Sequence, residues 1–222
     1  MQVRNSIIVL LLATAGMFAQ NGQLKLGLLK YSGGGDWYAN PSALGNLAAF
    51  TNQQLGSNFS TEYEVVPVGS SSIFDFPFIH MTGHGNVVFS NEEAQNLRTY
   101  LEAGGFLHID DNYGMDKFIR PELARIFPES ELKPIPASHP IYRQYFKFEE
   151  GLPKVHEHDQ KPPQGYGIFI NDRLAIFYTY ESDLSDGWED PEIHNDPPEV
   201  REKALKMGAS ILEYVFKGQP IQ

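Results

Sequence analysis

The sequence predicts an α/β fold, a doubly wound and mostly parallel sheet covered by helices on both faces. Three observations predict it. Short apolar strands alternate with helical segments through the first half of the chain. Residues 106–110 are nearly continuous in apolar side chains, as a central parallel strand covered on both sides requires. Towards the C-terminus, residues 167–170 and 173–180 flank Asn171-Asp172 and read as an antiparallel hairpin.

Taken in order, residues 24–31 form the first expected strand, broken by Gly33-Gly34-Gly35-Asp36-Trp37. Asn40-Pro41 offers a helix start, with Asn as the cap and Pro at the first helical position. Leu44, Leu47, Ala48 and Leu55 give that helix one buried face. Strands are expected over 64–68 and 76–82, the latter running into Gly83-His84-Gly85. Ser90-Asn91-Glu92-Glu93 is a capping box: the serine hydroxyl accepts from the Glu93 amide while the Glu93 carboxylate reaches back. The helix it opens presents Ala94, Leu97 and Leu101 inward and stops at Gly104-Gly105. Pro121 is expected to open a further helix ending near Phe127-Pro128, and a last helix is expected from about 199 to 216.

The first residues read as an export signal. Arg4 supplies a positive start, residues 6–18 are dominated by Ile, Val, Leu, Ala and Phe, and Ala19 offers a small residue for cleavage. The apolar run falls short of the roughly 20 residues that a membrane span needs. The expectation is therefore a signal peptide over 1–19 and one exported α/β domain over 20–222, periplasmic or extracellular, with no stable membrane insertion after cleavage. The chain has no cysteine, which rules out a lipid-modified N-terminus, disulfides, a thiol nucleophile and a thiolate metal site. Losing residues 1–19 removes one base and no acid, moving the formal net charge from −11 to −12. So acidic a domain is repelled by nucleic acid and by anionic membrane surfaces.

Ligands of open α/β sheets bind beyond the carboxyl ends of the strands, and three polar or Gly-rich segments leave strands at that edge. They are residues 33–38, 82–86 and 108–114. In the first, the amides around Gly34 could approach an anion, although a tight turn is the simpler reading. No Lys-Ser or Lys-Thr follows, which excludes a nucleotide P-loop, and the sequence names no cofactor. Asp36 and Trp37 join Gly34 as candidate ligand contacts. In the second, His84 is the candidate general acid-base or metal ligand. In the third, adjacent Asp110 and Asp111 need a cation, an arginine or a shared proton to coexist. They could hold Mg²⁺ or Ca²⁺; alternatively, Asp111 caps the next turn and Asp110 pairs with Arg120. Asn112 and His139 complete the candidate ligand-binding set. His156-Glu157-His158-Asp159 has the spacing of an extended metal-binding segment or of a solvated loop, and Asp183, Asp186 and Trp188 follow the hairpin, placed to close the site from above.

The motifs Gly-Gly-Gly-Asp-Trp-Tyr (33–38), Phe-Pro-Phe (76–78), Thr-Gly-His-Gly (82–85) and Leu-Arg-x-Tyr-Leu-x-x-Gly-Gly-Phe-Leu (97–107) occur here in that order. Asp-Asp (110–111), Phe-Pro (127–128), His-Pro (139–140), Gly-Ile (167–168) and Ser-Asp-Leu (182–184) follow them. Together they resemble the bacterial domain of unknown function 4159 family, from Leu24 to about Phe216. The family is similar in fold to class I glutamine amidotransferase-like and trehalose-utilisation-like domains. The resemblance thus implies a flavodoxin-like three-layer α/β/α sandwich and no particular activity. Amidotransferases of that superfamily need a cysteine after a central strand, and residues 110–112 stand about where it would fall. The expected function is binding of a small polar ligand, a saccharide or envelope fragment, at the carboxyl edge. The alternatives are a hydrolase using His84 with Asp110 or Asp111, and an envelope protein-interaction module.

Overall fold

The computed structural model describes residues 22–217, so the expected signal segment lies outside the described residues. A seven-stranded sheet runs in the order β2-β1-β3-β4-β7-β6-β5. Its strands are β1 (Gly27–Lys30), β2 (Glu64–Pro67), β3 (Phe78–Gly83), β4 (Phe106–Asp111), β5 (Lys133–Pro134), β6 (Gln164–Ile170) and β7 (Arg173–Tyr180). The pairs from β2 through β1, β3 and β4 to β7 are parallel, and β6 and β5 add antiparallel to that edge. This is the expected mostly parallel α/β sheet with a C-terminal hairpin.

Two buried clusters lie on opposite faces of the sheet, and strand alternation divides each strand between them. Ile79, Met81, Leu107 and Ile109 face α2 (Asn91–Glu102) and α3 (Asp116–Ile126), meeting Leu97, Leu101, Ile119 and Leu123. Phe78, Phe106 and Phe177 face α1 (Ala43–Leu55) and α5 (Pro198–Phe216), meeting Leu44, Leu47, Met207 and Ile211. Each such side chain taken fully from water contributes about 1.5–3 kcal/mol. The result is three layers, helix, sheet and helix. A one-turn α4 (Pro191–His194) precedes α5. Among the described residues, no helix is long and apolar enough to cross a membrane.

On the α1/α5 face, the central strands grade from oil to polar. Register pairs Phe78 with Phe106, then His80 with His108, then Thr82 with Asp110. The apolar end anchors the helices; the polar end meets the loops that follow the strands.

Local chemistry explains the element ends. The capping box at Ser90 and Glu93 is formed in both directions. Two expected helix starts differ. Asn40 does not cap α1, which begins at Ala43 after Ser42, because its amide is drawn into buried hydrogen bonds described below. Helix α3 begins at Asp116, with Pro121 inside it, because the Asp111 carboxylate accepts from the N–H groups of Met115 and Asp116 and nucleates the first turn early.

Candidate functional site

At the carboxyl edge, the segment after β7 is sewn down onto the ends of β3 and β4. Asp110, fully buried, accepts from the Leu184 N–H (3.2 Å), the Ser185 N–H (2.6 Å) and the Ser185 hydroxyl (2.7 Å), as well as from the Thr179 hydroxyl. Burial pushes its carboxyl up to about 7, against the downward pull of the Thr179 and Ser185 hydrogen bonds. Behind it, His108 Nε2 lies 3.2 Å from the Thr179 hydroxyl, and its Nδ1 lies 3.0 Å from His80 Nδ1. Trp188 packs on both rings. Desolvation holds the two imidazoles neutral, lowering His80 to about 3 and His108 well below its ordinary value.

Beside this lies an amide cluster. Asn112 Nδ2 donates to Asn40 Oδ1 (2.5 Å) and to Asp186 Oδ1 (2.8 Å), and Asn40 Nδ2 donates to the same Asp186 oxygen (2.6 Å). Thr82 donates within the same group. Glu189 accepts from the Ser42 N–H and hydroxyl, tying the segment to the start of α1.

Asp111 points to the opposite face of the sheet from Asp110, as its place in the strand requires. Besides capping α3, it accepts from the Tyr178 hydroxyl at 3.1 Å, and burial raises its carboxyl despite the Met115 N–H. The two aspartates therefore do not share a cation: protein donors occupy both, on separate sides. Nor does Asp110 pair with Arg120, which instead bonds Asp116 at 2.6 Å and lies 4.4 Å from the Tyr166 ring centroid.

The structure brings Asp36 and His84 together. Asp36 Oδ1 accepts from the His84 N–H (2.7 Å) and Oδ2 lies 2.8 Å from His84 Nδ1. Burial alone would push Asp36 up, but the His84 N–H and imidazole outweigh it and hold the carboxyl low. Gly34 stands at φ 89° with open space around it, which is the tight-turn reading. Trp37 packs half-buried against both cores, with Lys30 Nζ 5.5 Å from its ring centroid. His139 does not join the others. It packs on Phe169 and Tyr214, and Phe169 pairs with Leu174 near the start of β7, at the amino edge of the sheet. Its Nδ1 accepts from the Ile141 N–H, opening a short helical turn at Pro140.

Two further features gather where the 108–114 segment meets residues 156–161 and 180–186. A pocket of about 360 Å³ opens beside the ends of β4 and β7, lined among others by Tyr113, Lys117, His158, Lys161, Tyr180 and Asp183. Tyr113 stacks on His158 with ring centroids 4.3 Å apart, and its hydroxyl bonds Asp159 at 3.0 Å. Tyr113, Glu181 and Asp183 all hold positive φ (78°, 56° and 52°), a conformation costly for residues with side chains. Next to this pocket, His156 Nδ1 lies 3.1 Å from Asp186 Oδ2 and 3.3 Å from Asp183 Oδ2, while its Nε2 lies 3.0 Å from Asp196 Oδ1. His158 Nε2 bonds the same Asp183 oxygen. The Asp183 and Asp186 hydrogen bonds raise His156 to about 10.

The sequence pattern marked His156 and His158 as an extended metal-binding segment or a solvated loop, and Asp183 and Asp186 as closing the site from above. It missed Asn40, Thr179, Ser185, His194, Asp196 and the pocket residues Lys161 and Tyr180. The His-Asn-Asp run at 194–196, echoing the His-Glu-His-Asp run at 156–159, is the signal that was there to read.

No curated protein matches the chain. A family model described as domain of unknown function (DUF4159) matches residues 25–216, from just before β1 to the end of α5. The chain belongs to that family.

Proposed function

We propose that the protein is an exported binding domain that takes a small polar ligand at the carboxyl edge of its sheet. The pocket of about 360 Å³ beside the ends of β4 and β7 carries the reading. Its size suits a mono- or disaccharide or an envelope fragment of similar bulk. The lining combines what such a ligand needs: the aromatic faces of Tyr113 and Tyr180, the cations Lys117 and Lys161, and the acceptors Asp116, Asp159 and Asp183. Carboxylates and ammonium groups fix hydroxyl orientation, and aromatic rings cover apolar C–H faces. The leader-like N-terminus supports a role outside the cytoplasm.

The test is a thermal-shift and calorimetric screen of neutral and acidic saccharides and peptidoglycan fragments against the mature chain. A binder should raise the melting temperature, and Tyr113→Ala and Lys161→Ala should each weaken it by tenfold or more. A ligand whose affinity neither substitution changes would place binding elsewhere and overturn the assignment. So would a screen in which nothing binds.

A second reading is favoured by the Asp36–His84 pair. The carboxylate orients the imidazole through Nδ1, and the His84 side chain is 54 % exposed, which is the arrangement of a general base with its orienting acid. Hydrolysis of a bound ligand that is lost in His84→Ala, with the fold intact, is its signature.

A further inference from the structure

Three carboxylates converge on one imidazole beside the pocket, and one of them, Asp186, also faces a second imidazole, that of His194. His156 Nδ1, Asp186 Oδ2 and His194 Nε2 belong to a group whose ligand atoms all lie within 4.8 Å of one another. Each of the two better buried members is oriented by a second contact. Asp186 Oδ1 is held by the amides of Asn40 and Asn112, which leaves Oδ2 for the histidines. The Nε2 of His156 faces Asp196, which fixes the ring so that Nδ1 faces Asp186. Such outer partners are what position ligands around metals.

A second observation is the presence of unpartnered carboxylate oxygens in the same cluster. Asp183 is 1 % exposed, presents Oδ2 to both His156 and His158, and its Oδ1 has no hydrogen-bond partner. Asp196, with a side chain 9 % exposed, also leaves Oδ2 unpartnered. Buried carboxylates without full compensation are costly, several kcal/mol being typical. Lys154, the lysine next in sequence, is turned to Glu157 and Glu181 instead.

We propose that His156, Asp186 and His194 bind one divalent transition-metal ion of the zinc class, with Asp183, whose Oδ2 lies 3.3 Å from His156 Nδ1, beside the site. Two imidazoles with carboxylate oxygens suit borderline ions such as Zn²⁺, Co²⁺ and Fe²⁺, whereas Mg²⁺ and Ca²⁺ prefer all-oxygen sets. Asp183 also lines the pocket, which puts the proposed site next to it. This assignment goes beyond the ligand-binding reading and does not depend on it.

The test uses mature, tag-free protein stripped with EDTA. Calorimetry with Zn²⁺ should show one equivalent bound, and Co²⁺ should give the visible absorption of a low-coordinate nitrogen and oxygen site. His194→Ala removes a ligand on the exposed one-turn helix and leaves the fold intact, as circular dichroism will check. It should weaken Zn²⁺ at least tenfold and bleach the Co²⁺ bands; Asp186→Asn should do the same. Absence of Zn²⁺ and Co²⁺ binding overturns the proposal, as does binding that His194→Ala leaves unchanged, or a preference for Mg²⁺ or Ca²⁺.

Discussion

Ser185 donates both its backbone N–H and its hydroxyl to one oxygen of Asp110, at 2.6 and 2.7 Å. A carboxylate at the end of the central strand thereby holds down the segment that carries Asp183 and Asp186. Asp110 organises the edge from within and is not presented to a ligand. Asp110→Ala would strand the N–H groups of Leu184 and Ser185 in a buried site. The expected loss is roughly 1–3 kcal/mol, the range for leaving buried donors unsatisfied. Urea denaturation should show it as a lower midpoint, and amide exchange at Leu184 and Ser185 should quicken. A loss below about 1 kcal/mol would remove Asp110 from this role.

The same carboxyl makes a pH prediction. Its folded value, about 7, lies above its ordinary 3.8. Its contribution to stability is therefore complete below about pH 4 and is lost as pH rises through 7. His80 and His108 act in the opposite sense. Burial lowers them, His80 to about 3, so their contribution is complete above about pH 6.5 and is lost on acidification. The two slopes oppose each other between pH 4 and 6.5. Asp110→Asn removes one of them, so its stability should climb more steeply than the parent's from pH 4 to 7. The divergence should be on the order of a few kcal/mol. Denaturation curves at half-unit pH steps measure it, and parallel profiles would contradict the assignment.

How much of this could be read beforehand follows from what each feature depends on. The capping box at Ser90, the hairpin around Asn171 and the central strand at 106–111 depend on neighbours in sequence, and all three were legible. Strand alternation likewise put His108 and Asp110 on one face. What faces them was not legible, because cross-strand register sets Thr82 opposite Asp110 and His80 opposite His108. Asn40 shows the limit well. Its local pattern says helix cap, yet two buried partners, Asn112 and Asp186, lie 72 and 146 residues further on. His139 was misplaced for the same reason: its sequence resembles a loop anchor, and only the fold shows that it serves the amino edge.

The hairpin turn offers a stabilising change. Asn171 and Asp172 both hold positive φ (50° and 62°), as a two-residue turn of this hand demands. Both are exposed, so little packing is at stake. Asp172→Gly would produce Asn-Gly, the favoured pair, and relieve the strain on a residue with a Cβ. A gain of about 0.5 kcal/mol is expected. The melting temperature should rise by about 1–2 °C. A fall would mean that the Asp172 carboxylate makes a contact worth more than the strain it carries.

Asp36 and His84 should separate by mutation, because the acid makes two bonds and the imidazole only one of them. His84→Ala leaves the Asp36 carboxylate bonded to the backbone N–H of residue 84. Since the His84 side chain is 54 % exposed, the loss should stay below about 1 kcal/mol. Asp36→Ala removes both bonds and uncouples the turn after β1 from the turn after β3, so it should cost more, about 1–2 kcal/mol. Gly83→Ala should cost more than either. Gly83 sits between them at φ 140°, and an added Cβ would land on the Tyr31 hydroxyl, which donates to Thr82 O at 3.0 Å. Tyr31 is buried on the sheet and cannot swing away without opening a cavity, so a loss of roughly 2–3 kcal/mol is expected. Chemical denaturation of the three variants should therefore rank them His84→Ala, Asp36→Ala and Gly83→Ala in rising cost. If His84→Ala proves the most damaging, the imidazole is a structural strut and the acid–base reading of the pair fails.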